Sequence, residues 1–405
     1  MTYSCYSFRR KLLVTAVSLA LPAMALAETS NADLQEQLDA LQNQVTALNT
    51  EVQQAAEWKN PNTLVHLSGY ADVGYTKKEG QDGSFGVGTF APIFHYQYRD
   101  TVMMEAEMEL TVDEKGETEV TLEYLTIDWF LNDYAVLVAG RFLSPIGQFR
   151  QNLHPSWINK LASAPPGFGH DGAAPISDLG VQLRGAFPMG GMRANYAVYV
   201  SNGPEINAEA EVDGTDIEYE LDGVAAEGLG ADIDGEKTYG GRIGILPIPS
   251  VEIGLSFVTG KATVTNIEAD IEPPAGSITG ETARDYDVIG ADFVWFTGNM
   301  SLRGEYVKTE VGETTTGVTA SEAAEWTTWY SQIAYRLPDT KWEGVLRYSD
   351  YDSPHASVDQ TQTAIGVNYL ITNTFIAKLT YEFNDGLAGA NSDLDQTMLQ
   401  LAYGF

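Results

Sequence analysis

The chain has 405 residues, 44% hydrophobic and only 20% charged, a composition that excludes disorder throughout. Lys and Arg total 23 against 56 Asp and Glu, a formal charge of −33, so the basic surface that a nucleic-acid partner needs is missing. Cys5 is the single cysteine, which removes disulfide frameworks and cysteine-based metal sites.

At the start of the chain, Arg9, Arg10 and Lys11 precede an apolar stretch from Leu12 to Ala23, and Ala25-Leu26-Ala27 closes the run. This order of basic, apolar and small residues reads as a secretory signal peptide over 1–27, and the apolar part is short for a membrane anchor. No later stretch reaches the roughly eighteen apolar residues of a transmembrane helix, so a membrane form of this protein would cross as strands.

Residues 28–60 are poor in aromatics and rich in Gln, Leu and Ala. Within them Leu34, Leu38, Leu41, Val45, Leu48, Val52 and Ala55 alternate in steps of four and three, the a/d seam of a coiled coil. So few heptads form a helix chiefly by association, which points to oligomerisation through Leu34, Leu38, Leu41, Val45, Leu48 and Val52. The alternative is an amphipathic helix lying on the parent domain. Asn60-Pro61-Asn62 ends the segment.

From Thr63 the period falls to two. Val65, Leu67, Ala71, Val73 and Tyr75 alternate with His66, Ser68, Tyr70, Asp72 and Thr76. The pattern predicts sixteen strands, at 63–76, 85–97, 102–112, 118–130, 134–144, 178–187, 192–201, 237–246, 251–261, 285–296, 300–310, 325–336, 341–351, 360–371, 374–384 and 395–405. Connections alternate between short ones, such as 98–101 and 297–299, and long ones, including 145–177, 202–236 and 262–284. Aromatics recur beside the short set: Tyr96, Trp129, Phe187, Trp295, Trp342, Tyr369 and Tyr403. Even strand number, one-sided long loops and an aromatic girdle describe an outer-membrane barrel. The fold class is therefore all-β, a sixteen-stranded antiparallel transmembrane β-barrel over 63–405, preceded by a short coiled-coil helix in the periplasm.

With the apolar set facing lipid, the opposite set lines a lumen. That phase puts Arg141, Arg184, Arg193, Arg242, Arg303, Arg336, Arg347 and Lys378 inside, with Glu105, Glu107, Glu109, Glu252, Asp292, Glu305, Glu343 and Glu382. A soluble sandwich would need a partner for every one of these charges, whereas a water-filled pore tolerates them and uses them for selectivity. For any single charge the other reading is a wall residue that fixes its neighbours by hydrogen bonds.

The connection 145–177 carries Arg150, His154, Lys160 and His170 against Asp171 alone, with Trp157 among them. Pro155 to Ser163 reads as a short helix with Pro in its first turn, stopped by Pro165-Pro166-Gly167. Such a loop is placed to fold inward as a constriction bearing Arg150, His154, Trp157 and Lys160, or else to lie outside as a lid. The connection 202–236 holds twelve acidic residues and no basic one. It is expected to be a solvated loop that raises cation concentration at the mouth and is linked to lipopolysaccharide through divalent cations. Asp232-Ile233-Asp234-Gly235-Glu236 lacks EF-hand spacing. His66, His95, His154, His170 and His355 are scattered and fit no hydrolase or metalloprotease motif, so no catalytic, cofactor or metal residue is assigned.

Several segments together resemble the phosphate-selective porin O/P family of Gram-negative bacteria. They are Gly140-Arg-Phe-Leu-Ser-Pro-Ile-Gly147, Val200-Ser-Asn-Gly-Pro204, Trp329-Tyr-Ser-Gln-Ile-Ala-Tyr-Arg-Leu337, Gly366-Val-Asn-Tyr-Leu370 and Ala377-Lys-Leu-Thr-Tyr381. The resemblance implies a homotrimer of sixteen-stranded channels with the coiled coil on the periplasmic side, and matches Arg141 to the strand before the family's constriction loop. Phosphate selectivity is not carried over, because the 202–236 loop and Glu105, Glu107 and Glu109 oppose anion attraction. The expectation is a passive outer-membrane channel for small hydrophilic solutes and ions. A channel selective for phosphate or organic acids, and a non-conducting barrel tethering the membrane to the cell wall, stand beside it.

Overall fold

A computed structural model describes residues 63–405 apart from 114, 171, 214–215, 226–231, 233, 269–280, 315 and 317–321. The leader at 1–27 and the heptad segment at 28–60, including Leu34 to Val52, lie outside the described residues.

In chain order the first strands are β1 (Thr63–Lys78), β2 (Ser84–Tyr98), β3 (Val102–Val112), β4 (Thr118–Asn132), β5 (Ala135–Leu143), β6 (Ser177–Met189) and β7 (Met192–Ser201). There follow β8 (Glu205–Asp213), β9 (Asp216–Ala225), β10 (Thr238–Ile248), β11 (Val251–Ala262), β12 (Val264–Glu268) and β13 (Arg284–Thr297). The last are β14 (Met300–Val311), β15 (Ala324–Arg336), β16 (Trp342–Asp352), β17 (Gln360–Leu370), β18 (Phe375–Gly386) and β19 (Gln396–Gly404). All but β8, β9 and β12 form one closed antiparallel barrel of sixteen strands. These are the sixteen that the alternation predicts, each end within two residues.

Closure joins the first strand to the last. Gly69 and Phe405 exchange backbone hydrogen bonds of 3.1 and 2.9 Å, and the Phe405 ring lies 6.2 Å from that of Phe90. Gly69 has φ +152°, and a Cβ there would stand 2.3 Å from the Ala91 carbonyl oxygen, so the seam needs glycine.

The two faces of the wall differ as lipid and lumen would require. Ile243, Leu255, Phe257, Ile289, Ile365 and Leu399 are exposed on the outer face. Near the short turns the outer face turns aromatic, with Trp342 and Tyr369 rings 4.8 Å apart and Phe375 and Tyr403 rings 5.8 Å apart. The Lys341 ammonium stands 6.0 Å from the centre of the Tyr369 ring and donates to the Ile371 carbonyl at 2.8 Å. The core sits inside the barrel instead of between layers: Val138, Phe142, Ile146, Phe149, Phe168, Tyr286, Trp326 and Tyr330 form one buried cluster.

The acidic connection departs from the expected solvated loop. Its residues form the hairpin β8–β9, to which β12 adds as a parallel strand in the order β12-β8-β9. The reason is an apolar alternation beneath the charge: Ile206, Ala208, Leu221, Val224 and Val264 are each no more than 2% exposed and join the core cluster.

Ile365 stands at the middle of β17 on the outer face, 47% exposed. Ile365→Lys is expected to destabilise the folded barrel by about 2–4 kcal/mol in lipid vesicles, read by urea unfolding. An unchanged midpoint would mean that this face does not meet hydrocarbon.

Candidate functional site

The site begins where β5 runs out. Pro145 and Gly147 turn the chain away from the wall, with Gly147 at φ +69° against the Glu305 carboxylate, where any Cβ would collide. The turn is received by the opposite wall. Gly147 N–H donates to Ser256 Oγ at 3.0 Å, and the N–H groups of Gln148 and Phe149 donate to Glu305 Oε2 at 3.1 and 3.0 Å. Gln148 Nε2 donates to Asp292 Oδ1 at 2.9 Å. One helical turn follows at Phe149–Leu153. The helix expected at Pro155–Ser163 is replaced by a single turn, in which Asn159 N–H donates to the Pro155 carbonyl. Wall contacts draw the rest of that segment out of helical geometry.

Those contacts continue across β15 to β19. Lys160 pairs with Glu343 at 2.9 Å, and Asn368 Nδ2 donates to the Lys160 carbonyl at 2.8 Å. Ala162 N–H donates to Thr380 Oγ1 at 3.2 Å, and the Ser163 hydroxyl donates to Glu382. Arg347 donates to the Ser163 and Ala164 carbonyls at 3.0 Å each and to Gln362 Oε1 at 2.8 Å. Lys378 Nζ donates to the carbonyls of Ser156 and Leu161 and to Gln400. Thr328 Oγ1 donates to the Pro166 carbonyl at 2.7 Å, and Trp157 stacks where Gly404 leaves room, 2.7 Å from the place of an added Cβ. The connection thus lies inside the barrel, bonded to its inward face.

This placement corrects part of the expected lining. Glu305, Glu343, Arg347, Lys378 and Glu382 are inward but at most 7% exposed, because the loop covers them. They hold the loop, and its carbonyls and amides compensate their desolvation. Arg150 is similarly internal, 1% exposed, donating to the Ala174 carbonyl at 2.9 Å with its guanidinium over Phe168.

Two further positions are corrected. Arg141 lies opposite Leu125 and Leu179, on the outer-facing side of β5, with its Nε donating to Ser177 Oγ at 2.8 Å. Val138 and Phe142 point into the core and set that phase; β5 is apolar on both faces, so its alternation carries no phase of its own. Arg336 sits at the end of β15 and donates to the Thr340 carbonyl of the short turn at 3.3 Å. Arg193 is inward near a short turn, opposite Pro188 and Leu246, and exposed.

The remaining residues border open space. A cavity of about 680 Å³ runs between the loop and the wall of β2 to β7, β10 and β11. Glu105, Glu107, Arg184, Arg242 and Glu252 line it, with Gln151, Asn152 and His154 from the loop. A smaller one of about 280 Å³ is lined by Asp292 and Arg303. Both arginines of the larger cavity are paired. Arg184 Nη2 meets Asp128 at 2.6 Å, and Arg242 grips Asp292 with two bonds of 2.8 and 2.6 Å and Glu252 with one of 3.0 Å. Burial lowers the His154 imidazole, but Glu107, 3.7 Å away, with Glu123 and the Arg150 carbonyl, more than offsets it. Its pKa stands above the ordinary histidine value.

Asp128 and Glu123 of β4 lie outside the sixteen charges that alternation assigns to the lumen. A bulge between Glu107 and Met108 shifts the register, so that Glu123 and the even-numbered Tyr124, Thr126 and Asp128 all turn inward. Strict alternation cannot place both sets on one face. The visible signal was the carboxylate Asp128 between Ile127 and Trp129.

The sequence comparison locates the likeness in the second half of this wall. Residues 250–400 match the family model of phosphate-selective porin O and P. The porin-matching part spans β11 to β19 and carries Asp292, Glu305, Glu343, Arg347, Lys378 and Glu382, the residues that receive the loop. No curated protein matches the sequence. Among solved structures, the anion-selective porin from Comamonas acidovorans is 16% identical with a TM-score of 0.54, over 85% of this chain and 100% of that one. The outer membrane channel DcaP of Acinetobacter baumannii is 12% identical with a TM-score of 0.52, over 86% and 99%. OmpT, an outer membrane protein of Vibrio cholerae in trimer form, is 10% identical with a TM-score of 0.50, over 85% and 99%. At these identities the likeness is one of fold.

Arg347 ties the loop to the wall with three hydrogen bonds, to the Ser163 carbonyl and hydroxyl and the Ala164 carbonyl. Arg347→Ala leaves the Ser163 and Ala164 carbonyls without it and is expected to free the loop, raising tryptic cleavage after Lys160 at least tenfold while the barrel stays folded. Equal resistance in variant and parent, scored by mass spectrometry of the cut loop, would deny it that role.

Proposed function

We propose that this chain is an outer-membrane porin, a passive diffusion channel for small hydrophilic solutes and ions, constricted by the connection between β5 and β6. The observation that carries the reading is the loop bonded across the inward face of a closed barrel, leaving a polar cavity of about 680 Å³ beside it. Size exclusion follows from the space that the loop occupies. Ion preference follows from the charges that border the gap.

Four carboxylates (Glu105, Glu107, Asp133 and Glu252) line the larger cavity against two guanidinium groups, Arg184 and Arg242. Those two are further neutralised by Asp128 and Asp292. An anion entering the cavity finds no unpaired guanidinium there, so the reading favours cations over phosphate despite the family's name. A homotrimer with residues 28–60 as a periplasmic coiled coil, the leader removed at 1–27 and the barrel over 63–405 completes the proposal. The trimer form of a fold neighbour and the heptad spacing support it.

Purified protein in a planar bilayer under a KCl gradient is expected to show conductance steps in threes, with a reversal potential of cation sign that phosphate leaves unchanged. Anion sign with block by phosphate would replace this reading with a phosphate channel. Folded protein without steps would leave the wall tether.

Acidity adds a second readout. His154 faces Glu107 from β3, Tyr70 from β1, Glu123 from β4 and the Arg150 backbone carbonyl of its own loop. Its raised pKa means that the imidazolium persists to a higher pH than the ordinary value of about 6.5 and discharges above it. Cation preference is therefore expected to increase as pH rises through the raised pKa of His154. In His154→Gln this component of the change should vanish; an identical pH profile in the two proteins would remove His154 from the constriction.

A further inference from the structure

On the side of the lumen away from its anchors, the loop meets β3 and β4 through a cluster outside the larger cavity. We propose that Glu109, Glu123 and His170 form a binding site for a divalent transition-metal ion of the Zn2+ class.

Each side chain is presented by a different element. Glu109 lies on the inward face of β3, and the Thr89 hydroxyl occupies its Oε1 at 2.8 Å, while Oε2 faces His170 at 3.9 Å. Glu123 comes from β4 just beyond the register shift, with Oε1 at 3.7 Å from the same Nε2. His170 ends a turn pinned by Phe168, which is 1% exposed with its ring 5.1 Å from that of Tyr330. One ligand atom from each residue lies within 4.8 Å of the others. Ligands at about 2.0–2.1 Å around a tetrahedral ion stand about 3.4 Å apart, so closing on the ion takes side-chain movements of up to about 1 Å.

Glu123 gives the independent sign of a ligand. It is 3% exposed, yet its Oε1 has no hydrogen-bond partner among the described residues. A carboxylate oxygen withdrawn from water without a hydrogen bond is costly, and a cation at this point would take the place of the missing bond. The Thr89 hydroxyl acts as the outer partner that orients a ligating carboxylate. His170 keeps 47% of its side chain exposed toward a cavity of about 260 Å³, which gives an ion a way in and leaves room for water as a further ligand.

Donor chemistry sets the class. One imidazole nitrogen with two carboxylate oxygens suits first-row divalent ions, whereas Ca2+ and Mg2+ favour all-oxygen sets. An ion held here would tie the loop to β3 and β4 as its hydrogen bonds tie it to β11–β18. The site goes beyond the porin reading, and its test does not require a conducting pore.

Chelator-stripped, untagged full-length protein in detergent is titrated calorimetrically with ZnCl2 in the presence of excess MgCl2. One Zn2+ per chain is expected to bind, with affinity at least tenfold lower in His170→Ala and in Glu123→Gln and unchanged in His66→Ala. His170→Ala, at the exposed end of the loop, carries the test if burial makes Glu123→Gln fold poorly. Equal binding by His170→Ala and the parent, displacement of Zn2+ by Mg2+, or no binding at all would each overturn the assignment.

Discussion

Every amide that the barrel wall places against hydrocarbon must find its partner on a neighbouring strand, because lipid offers none. From this one requirement the rest follows. A sheet that has no free edge must close, as it does where Gly69 meets Phe405, and its apolar side must face outward. Closure over sixteen strands encloses a lumen too wide for side chains alone to fill. The chain meets this by turning the connection after β5 inward. That connection brings its own unpaired backbone groups, which the wall must satisfy in turn. Hence the charged inward side chains of β13 to β18 act as acceptors and donors for the loop before they act on any solute.

This ordering explains why so acidic a chain keeps buried arginine and lysine. Arg347 and Lys378 are neutralised by dipoles of the loop backbone as much as by carboxylates, and Arg242 by a bidentate aspartate. On the opposite wall the loop makes fewer bonds and the carboxylates Glu105, Glu107, Glu109 and Glu123 remain close to open space. The lumen is thus divided into a packed half and a wet half, and the chemistry open to solutes or ions belongs to the wet half.

Much of the wall was legible because alternation over ten or more residues is a physical signature of a strand with two different faces. All sixteen barrel strands follow from it. Where both faces of a strand are apolar, as in β5, the signature loses its phase, and Arg141 was placed on the wrong side. Where a bulge inserts a residue, as beside Glu107, the phase slips, and Glu123 and Asp128 were overlooked. The hairpin β8–β9 is concealed for a different reason: dense charge overlies the alternation of Ile206, Ala208, Leu221 and Val224, which pack against the core.

By itself the sequence determined the architecture, since strand count, strand ends and the apolar outer surface are all local patterns of period two. It also determined the acidic balance and the presence of one long loop with basic and aromatic residues after the fifth strand. Only the tertiary structure decided which inward charges face water and which lie under the loop, because Glu343, Arg347 and Glu382 stand some 180 to 220 residues from their partners Lys160 and Ser163. The meeting of Glu109, Glu123 and His170 was settled in the same way: two come from neighbouring strands offset by a bulge, and the third from a loop folded back upon them. Contacts of that kind depend on where a closed wall brings its far sides together, and no periodicity along the chain encodes that distance.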